Sequence, residues 1–215
     1  MSHLKLQEAP KSWPIKRKGT KYIVKPNFNM SDGIPVLIIL RDMLKLAKNR
    51  KEVKKIINER KILLNEKPVK DEKNSAVLFD TITLVPTKKH FRIELSEKGK
   101  FKLEEIKEHE AREKIAKITG KKMLKGKKVQ LNLSDGRNFL TEMKCNTNDS
   151  VLINLKERKI EKCIPLKEKA KILVFEGKHI GRKGIAEKIN ENKMAEVEME
   201  GSKVNILIKQ LMVIG

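Results

Sequence analysis

A chain of 215 residues with 39% hydrophobic and 4% aromatic side chains suits several small Ile/Leu/Val cores and is too poor in apolar residues for one large core. It carries 50 Lys and Arg against 28 Asp and Glu, a formal charge of +22 spread along its length. A domain so charged repels itself, so a polyanion, nucleic acid above all, is its natural partner; a heat- or salt-adapted surface would balance Lys with Glu. Cys145 and Cys163 fit no zinc-ligand spacing, and no histidine lies near them in sequence; they read as small buried hydrophobes. The opening MSHLKLQEAPKSW lacks the apolar stretch of a signal peptide, and the longest apolar run, residues 36–40, is far too short to span a membrane. A cytoplasmic protein with no membrane partner and no cofactor is expected.

Residues 1–30 hold seven Lys/Arg against one acid, Glu8, and are broken by Pro10, Pro14, Gly19 and Pro26. The composition predicts an arm that orders on RNA, with Lys5, Lys11, Lys16, Arg17 and Lys18 on phosphates and Trp13 and Tyr22 as anchors. Residues 35–48 predict a helix that starts at Pro35 and buries Leu37, Leu40, Leu44 and Ala47, leaving Arg41, Lys45 and Lys48 outside. A second short helix follows, with Val53, Ile56 and Ile57 inward and Lys51, Lys54, Lys55 and Arg60 outward. KILLNEKPVK then reads as a hairpin turning at Asn65–Glu66. A two-residue turn needing positive φ is a poor place for Glu, so its primed form is doubtful. Two helices and a hairpin with one basic face make a compact RNA-docking unit.

From residue 76 to 103 the pattern turns strand-like: AVLFDTITLVP, HFRIEL, KFKL. Residues 104–118 predict a helix with Ile106, Ile115 and Ile118 inward, its mixed charges turned toward a protein neighbour or solvent rather than RNA. GKKMLKGKK reads as a Lys-rich loop. VQLNL and RNFLTEM flank a turn at Asp135–Gly136, and SVLINL with KIEKCIPL forms another hairpin. Five short strands in residues 171–215 (KILVF, IAEKI, AEVEME, KVNILI, LMVI) predict a small β-barrel. Its basicity is local, with Lys178, His179, Arg182 and Lys183 in one loop among Gly177, Gly181 and Gly184. These glycines serve either ordinary turn geometry or close approach to RNA.

Three stretches carry a resemblance to a known family: HLKLQEAPKSWPI, the segment from PVLIILRDMLK to LLNEKPVKD, and VFEGKHIGRKGIAEKI. The second resembles an αL-type RNA-binding module and the third a KOW motif. In this order, with a β-rich middle, they resemble the archaeal and eukaryotic-type small-subunit ribosomal protein four, the S-four-e family, over essentially the whole chain. The resemblance implies an α+β, β-rich multidomain fold: a basic arm at 1–35, the αL-type module at 36–100, a central β-rich domain at 101–168 and a KOW-containing small β-barrel at 169–215. It implies a non-catalytic constituent of the small subunit that binds its RNA, sits among neighbouring ribosomal proteins and does not homo-oligomerise. The contacts it carries over fall on Arg41, Lys51, Lys54, Lys55, Arg60, Lys178, Arg182 and Lys183. αL modules also serve RNA-modification enzymes, but the chain shows no phosphate-binding loop, dinucleotide fingerprint or paired-His motif, and its four histidines are isolated. A KOW-bearing transcription factor would have no need of the αL segment.

Overall fold

The computed structural model describes residues 3–189, 193–199 and 201–215. Met1 and Ser2 of the expected arm, and Glu200 at the end of one expected strand, lie outside these. The chain divides into two compact units, Met1–Leu95 with Lys100–Arg112, and Ser96–Gly99 with Glu113–Gly215. Among the described residues no helix is long and apolar enough to cross a membrane.

The first unit opens with β1 (Leu4–Lys5), which pairs antiparallel with β2 (Tyr22–Ile23). β3 (Gly33–Pro35) leads into a helical turn, α1 (Val36–Ile38), that continues as a π-helical turn over Ile39–Met43. Residues 36–40 are buried on every side, which explains an apolar run with no polar face. Helical geometry stops at Lys45, which adopts φ 55, so the expected helix of residues 35–48 is shorter than its pattern. α2 (Arg50–Asn58) starts where Asn49 Oδ1 accepts from the Glu52 backbone N–H and Glu52 reaches back to the Lys48 N–H, a reciprocal cap. It buries Val53 and Ile57 one turn apart. Then come β4 (Ile62–Leu64), β5 (Lys67–Pro68), β6 (Ser75–Val77), β7 (Thr81–Leu84), β8 (Lys89–Leu95), β9 (Phe101–Ile106) and the single turn α3 (Glu108–Ala111). β6 pairs with β3, and the other five form an antiparallel sheet ordered β5-β4-β7-β8-β9.

The hairpin β4–β5 does turn on two left-handed residues, Asn65 (φ 51) and Glu66 (φ 61), contrary to expectation. The strain is offset from outside the turn. The buried Asn65 amide donates to Asp80 Oδ1 at 2.8 Å, and its oxygen accepts from the Thr81 N–H.

The second unit contains β10 (Glu113–Met123), β11 (Val129–Leu133), β12 (Asn138–Thr141), β13 (Ser150–Asn154) and β14 (Lys159–Ile164), an antiparallel sheet ordered β12-β11-β10-β13-β14. β15 (Lys171–Val174), β16 (Lys183–Ile189), β17 (Met194–Met199), β18 (Ser202–Leu207) and β19 (Leu211–Val213) follow, ordered β18-β17-β16-β15-β19. All five of the latter send side chains into one apolar cluster, including Ile172, Ala186, Val197, Ile206 and Val213.

The expected helix at 104–118 is corrected. It is the end of β9, one helical turn and the start of β10. The buried residues Lys114, Ala116 and Ile118 alternate, the period of a strand. Pairing on both edges, with β13 and β11, satisfies a backbone that the local 3.6-residue pattern assigned to a helix. The expected Lys-rich loop is likewise strand as far as Met123.

Candidate nucleic-acid interface

The N-terminal segment packs as part of the first unit. Leu4, Leu6, Ala9, Trp13 and Val24 are buried, and Trp13 is only 1% exposed. Its indole N–H donates to the Gly33 carbonyl at 2.8 Å, the pairing a buried indole needs. Arg17 pins the same segment, donating to the Ala9 and Pro10 carbonyls at 2.7 and 2.5 Å. The expectation of a free arm with Trp13 stacked on a base is therefore corrected: no indole face is open, and the segment contributes core.

Between this segment, the helical turns and the loop before β6 lies a groove of about 1440 Å³. The expected residues Lys16, Lys18, Arg41 and Lys45 line it, joined by Lys25, Lys48, Arg50 and Lys73; one carboxylate, Asp42, shares the lining. Asp42 is paired to Arg41 through two bonds of 2.8 and 3.1 Å. Arg50 is held by Glu72, a buried carboxylate 2.5 Å from its guanidinium, because a buried charge needs a partner. Among the described residues Lys16, Lys18, Lys45 and Lys48 have no acid within ion-pair distance, while the Lys73 charge acts on Asp71, so the groove is a concave surface with an excess of cations. Such a surface concentrates field in its low-dielectric walls and selects a polyanion. Tyr22, 51% exposed, stands at its edge with Lys21 Nζ 5.5 Å from its ring centroid.

Sequence reasoning missed Lys25, Arg50 and Lys73 as partners of this groove. Lys73 has no local signal, since it is carried there by the β3–β6 ladder and by the bond from the Asn27 N–H to its carbonyl, both distant in sequence. The other expected contacts lie elsewhere. Lys5 and Lys11 are exposed on the N-terminal segment, and Lys51, Lys54 and Lys55 are exposed on α2. Lys54 Nζ lies 3.8 Å from Glu72. Arg60 ends α2 in the left-handed conformation, φ 53, a position usually given to glycine.

In the second unit Lys178, His179 and Arg182 share the expected loop, with Gly177 at φ 94 and Gly181 at φ 86, while Lys183 opens strand β16 opposite Leu173. A Cβ on Gly181 would fall 1.9 Å from the Ser96 carbonyl oxygen, so this glycine admits the protein's own backbone. Residues 104–112, by contrast, are acidic and are paired by the protein's own cations: Glu110 with Arg92 at 2.8 Å and Glu108 with Arg112 at 2.6 Å. Cys145 and Cys163 pack on one core cluster. Burial, then the neighbouring Cys145 thiol and the Asp149 carboxylate, pushes the Cys163 thiol up to about 12, far from a reactive thiolate.

Residues 2–28 match the RS4NT (NUC023) domain and residues 87–160 match Ribosomal family S4e. The small ribosomal subunit protein eS4 of Methanocella arvoryzae is 38% identical over 191 residues, 87% of this chain and 81% of that one. The chain belongs to the eS4 family. The eS4 of Nanoarchaeum equitans is 35% identical, covering 89% of this chain and 84% of its own, and that of Methanosphaera stadtmanae is 36% identical, covering 97% and 85%. The 30S ribosomal protein S4e from Thermoplasma acidophilum shares the fold, with a TM-score of 0.74 at 23% identity over 86% of this chain and 96% of that structure. The eS4 family thus has the β-rich architecture described here.

Proposed function

We propose that the chain is a structural constituent of the cytoplasmic small ribosomal subunit, which binds ribosomal RNA beside neighbouring ribosomal proteins and catalyses nothing. The observation that carries this reading is the lysine-lined groove in the first unit, with one carboxylate in its lining, within a chain of family eS4. Lys supplies point charges to phosphates, and release of their condensed counterions drives binding. α1, α2 and the β4–β5 hairpin act as the αL-type module, and Lys51, Lys54, Lys55 and Arg60 extend its basic face. β15 to β19 act as the KOW-bearing barrel, a reading supported by their shared core, and Lys178, Arg182 and Lys183 meet RNA from its loop and the strand that follows. Several contacts on one RNA raise the effective concentration for each.

The test replaces Lys45, Lys48 and Lys73 together by Gln. Thermal stability should largely hold, since changes at the exposed Lys45 and Lys48 cost within about 0.5 kcal/mol each and Lys73, half-buried, keeps its backbone bonds as Gln. Affinity for small-subunit RNA should fall, and the slope of log K against log salt should become shallower by about three. In competition with the unaltered chain the variant should enter small subunits poorly. Equal incorporation together with an unchanged slope would overturn the reading.

A further inference from the structure

We propose that the free end of the β10–β11 hairpin is a separate RNA contact, in which Lys122, Lys125 and Lys128 hold phosphates around a loop or junction of the small-subunit RNA. The proposal rests on the ribosomal reading above and adds a site in the second unit.

β13 pairs with β10 only as far as Lys117, while β11 pairs with it to Met123. Residues 119–123 therefore have a strand partner on one edge alone. Successive residues of a strand face opposite ways; Lys121, Lys122 and Met123 are all exposed, but Leu131 opposite Lys121 is buried, so the Lys122 face is bare along this end and the other face only at Met123. A single 3-10 turn, Lys125–Lys127, caps it, with Gly126 at φ 78 and the Leu124 N–H donating to the Lys128 carbonyl at 2.8 Å. Cations thus stand on the strand, at the apex and on the return.

They are not compensated locally. Between Lys121 and Lys144 the carboxylates are Asp135, buried against Lys114 at 2.7 Å, and Glu142. Lys121 donates to the Cys145 carbonyl at 3.1 Å. Lys122, Lys125 and Lys128 have no ion-pair or hydrogen-bond partner for their ammonium groups among the described residues. Two apolar side chains accompany them: Met123, 73% exposed, and Leu140, 60% exposed. Leu140 opposes Gln130, which in turn opposes Lys122, so cation and apolar side chain share one face. Unpartnered charge on one face, at the apex and on the return, with no carboxylate among them, matches a polyanion laid over the hairpin's end. A regular A-form major groove is too narrow for side chains to enter, which directs the hairpin to a loop or junction where Met123 can lie on a ribose or base edge.

Two measurements on the full chain test this. Lys122→Gln, Lys125→Gln and Lys128→Gln together should lower affinity for small-subunit RNA roughly tenfold or more and make the salt slope shallower by about three. The groove variant should lose a different part of the RNA footprint. A photoreactive benzophenone side chain in place of Met123 should crosslink to RNA in assembled subunits. An unchanged footprint and slope in the hairpin variant, alongside a weakened groove variant, would overturn this proposal and leave the ribosomal reading intact. Crosslinking to a ribosomal protein instead of RNA would also overturn it. Failure of the unaltered chain to bind the RNA would overturn both.

Discussion

The groove of the first unit and strand β10 of the second use the same side chain for opposite ends. In the groove, lysines stand on a scaffold fixed by apolar anchors such as Trp13, and among the described residues Lys16, Lys18, Lys45 and Lys48 have no carboxylate within ion-pair distance. In β10, Lys114 and Lys117 are each 2% exposed and bond to the protein itself, one to a carboxylate and one to two backbone carbonyls. Composition and local charge density do not separate the two sets. Neighbours supplied by other strands do, and they decide whether a lysine is an RNA contact or part of the core.

The largest effect should come from the scaffold under the groove. Trp13→Ala removes a fully buried ring and leaves the Gly33 carbonyl without its donor. A loss of about 3–5 kcal/mol is expected for such a truncation, seen as a lower urea midpoint and exposure of the first unit to protease. Loss of RNA binding with no loss of stability would show that Trp13 contacts RNA after all and break the comparison.

In β10 the corresponding change is Lys114→Ala. Burial raises the Asp135 carboxyl, but the Lys114 ammonium at 2.7 Å, together with the backbone N–H and charge of Arg137, outweighs it and holds the group below its ordinary value. Removing one partner of a buried pair costs about 3–5 kcal/mol, while replacing both by apolar residues is often neutral or stabilising. Lys114→Met with Asp135→Leu should therefore recover most of the loss in chemical denaturation. A double variant no better than the single would mean that Asp135 matters chiefly through its bond from the Arg137 backbone N–H.

Much of the second unit was legible because its strands are local hairpins with clean alternation, such as Ala195, Val197 and Met199 inward against Glu196 and Glu198. α2 was legible too, from its Val53/Ile57 stripe. What was misread depends on partners far away in sequence. Trp13 looked like an RNA anchor because Gly33 and its surroundings are invisible to a local pattern. The Asn65–Glu66 turn looked unfavourable because Asp80 and Thr81, which hold it, follow about fifteen residues on. The helix expected at 104–118 gave way to ladders with β11 and β13, neither of which its own periodicity records. Of the expected site, Lys16, Lys18, Arg41 and Lys45 line one groove and the other residues lie elsewhere, while Lys73 comes to it through the β3–β6 pairing and its carbonyl's bond from the Asn27 N–H.

The smallest effect is the one that tests the buried class most directly. Lys117 Nζ donates to the Ile208 and Leu211 carbonyls at 2.5 and 2.7 Å and lies 5.6 Å from the Phe175 ring centroid. Burial lowers its pKa to about 8 from the ordinary 10.5, and Glu176 offsets only part of that. Below about pH 8 the ammonium is charged in both folded and unfolded chains, so its burial cost is fully felt. Between about 8 and 10.5 the folded chain binds fewer protons than the unfolded one, so this group's contribution to stability rises with pH across that window. The neutral amine keeps two protons, enough for both carbonyls. Lys117→Met should be destabilised by about 1–3 kcal/mol, since truncation leaves those carbonyls unpaired. The stability difference between the unaltered chain and the variant, taken from urea titrations at pH 7 and pH 10, should widen at the higher pH. A difference that stays flat would mean that water reaches Nζ and that Lys117 belongs with the solvated lysines of the groove.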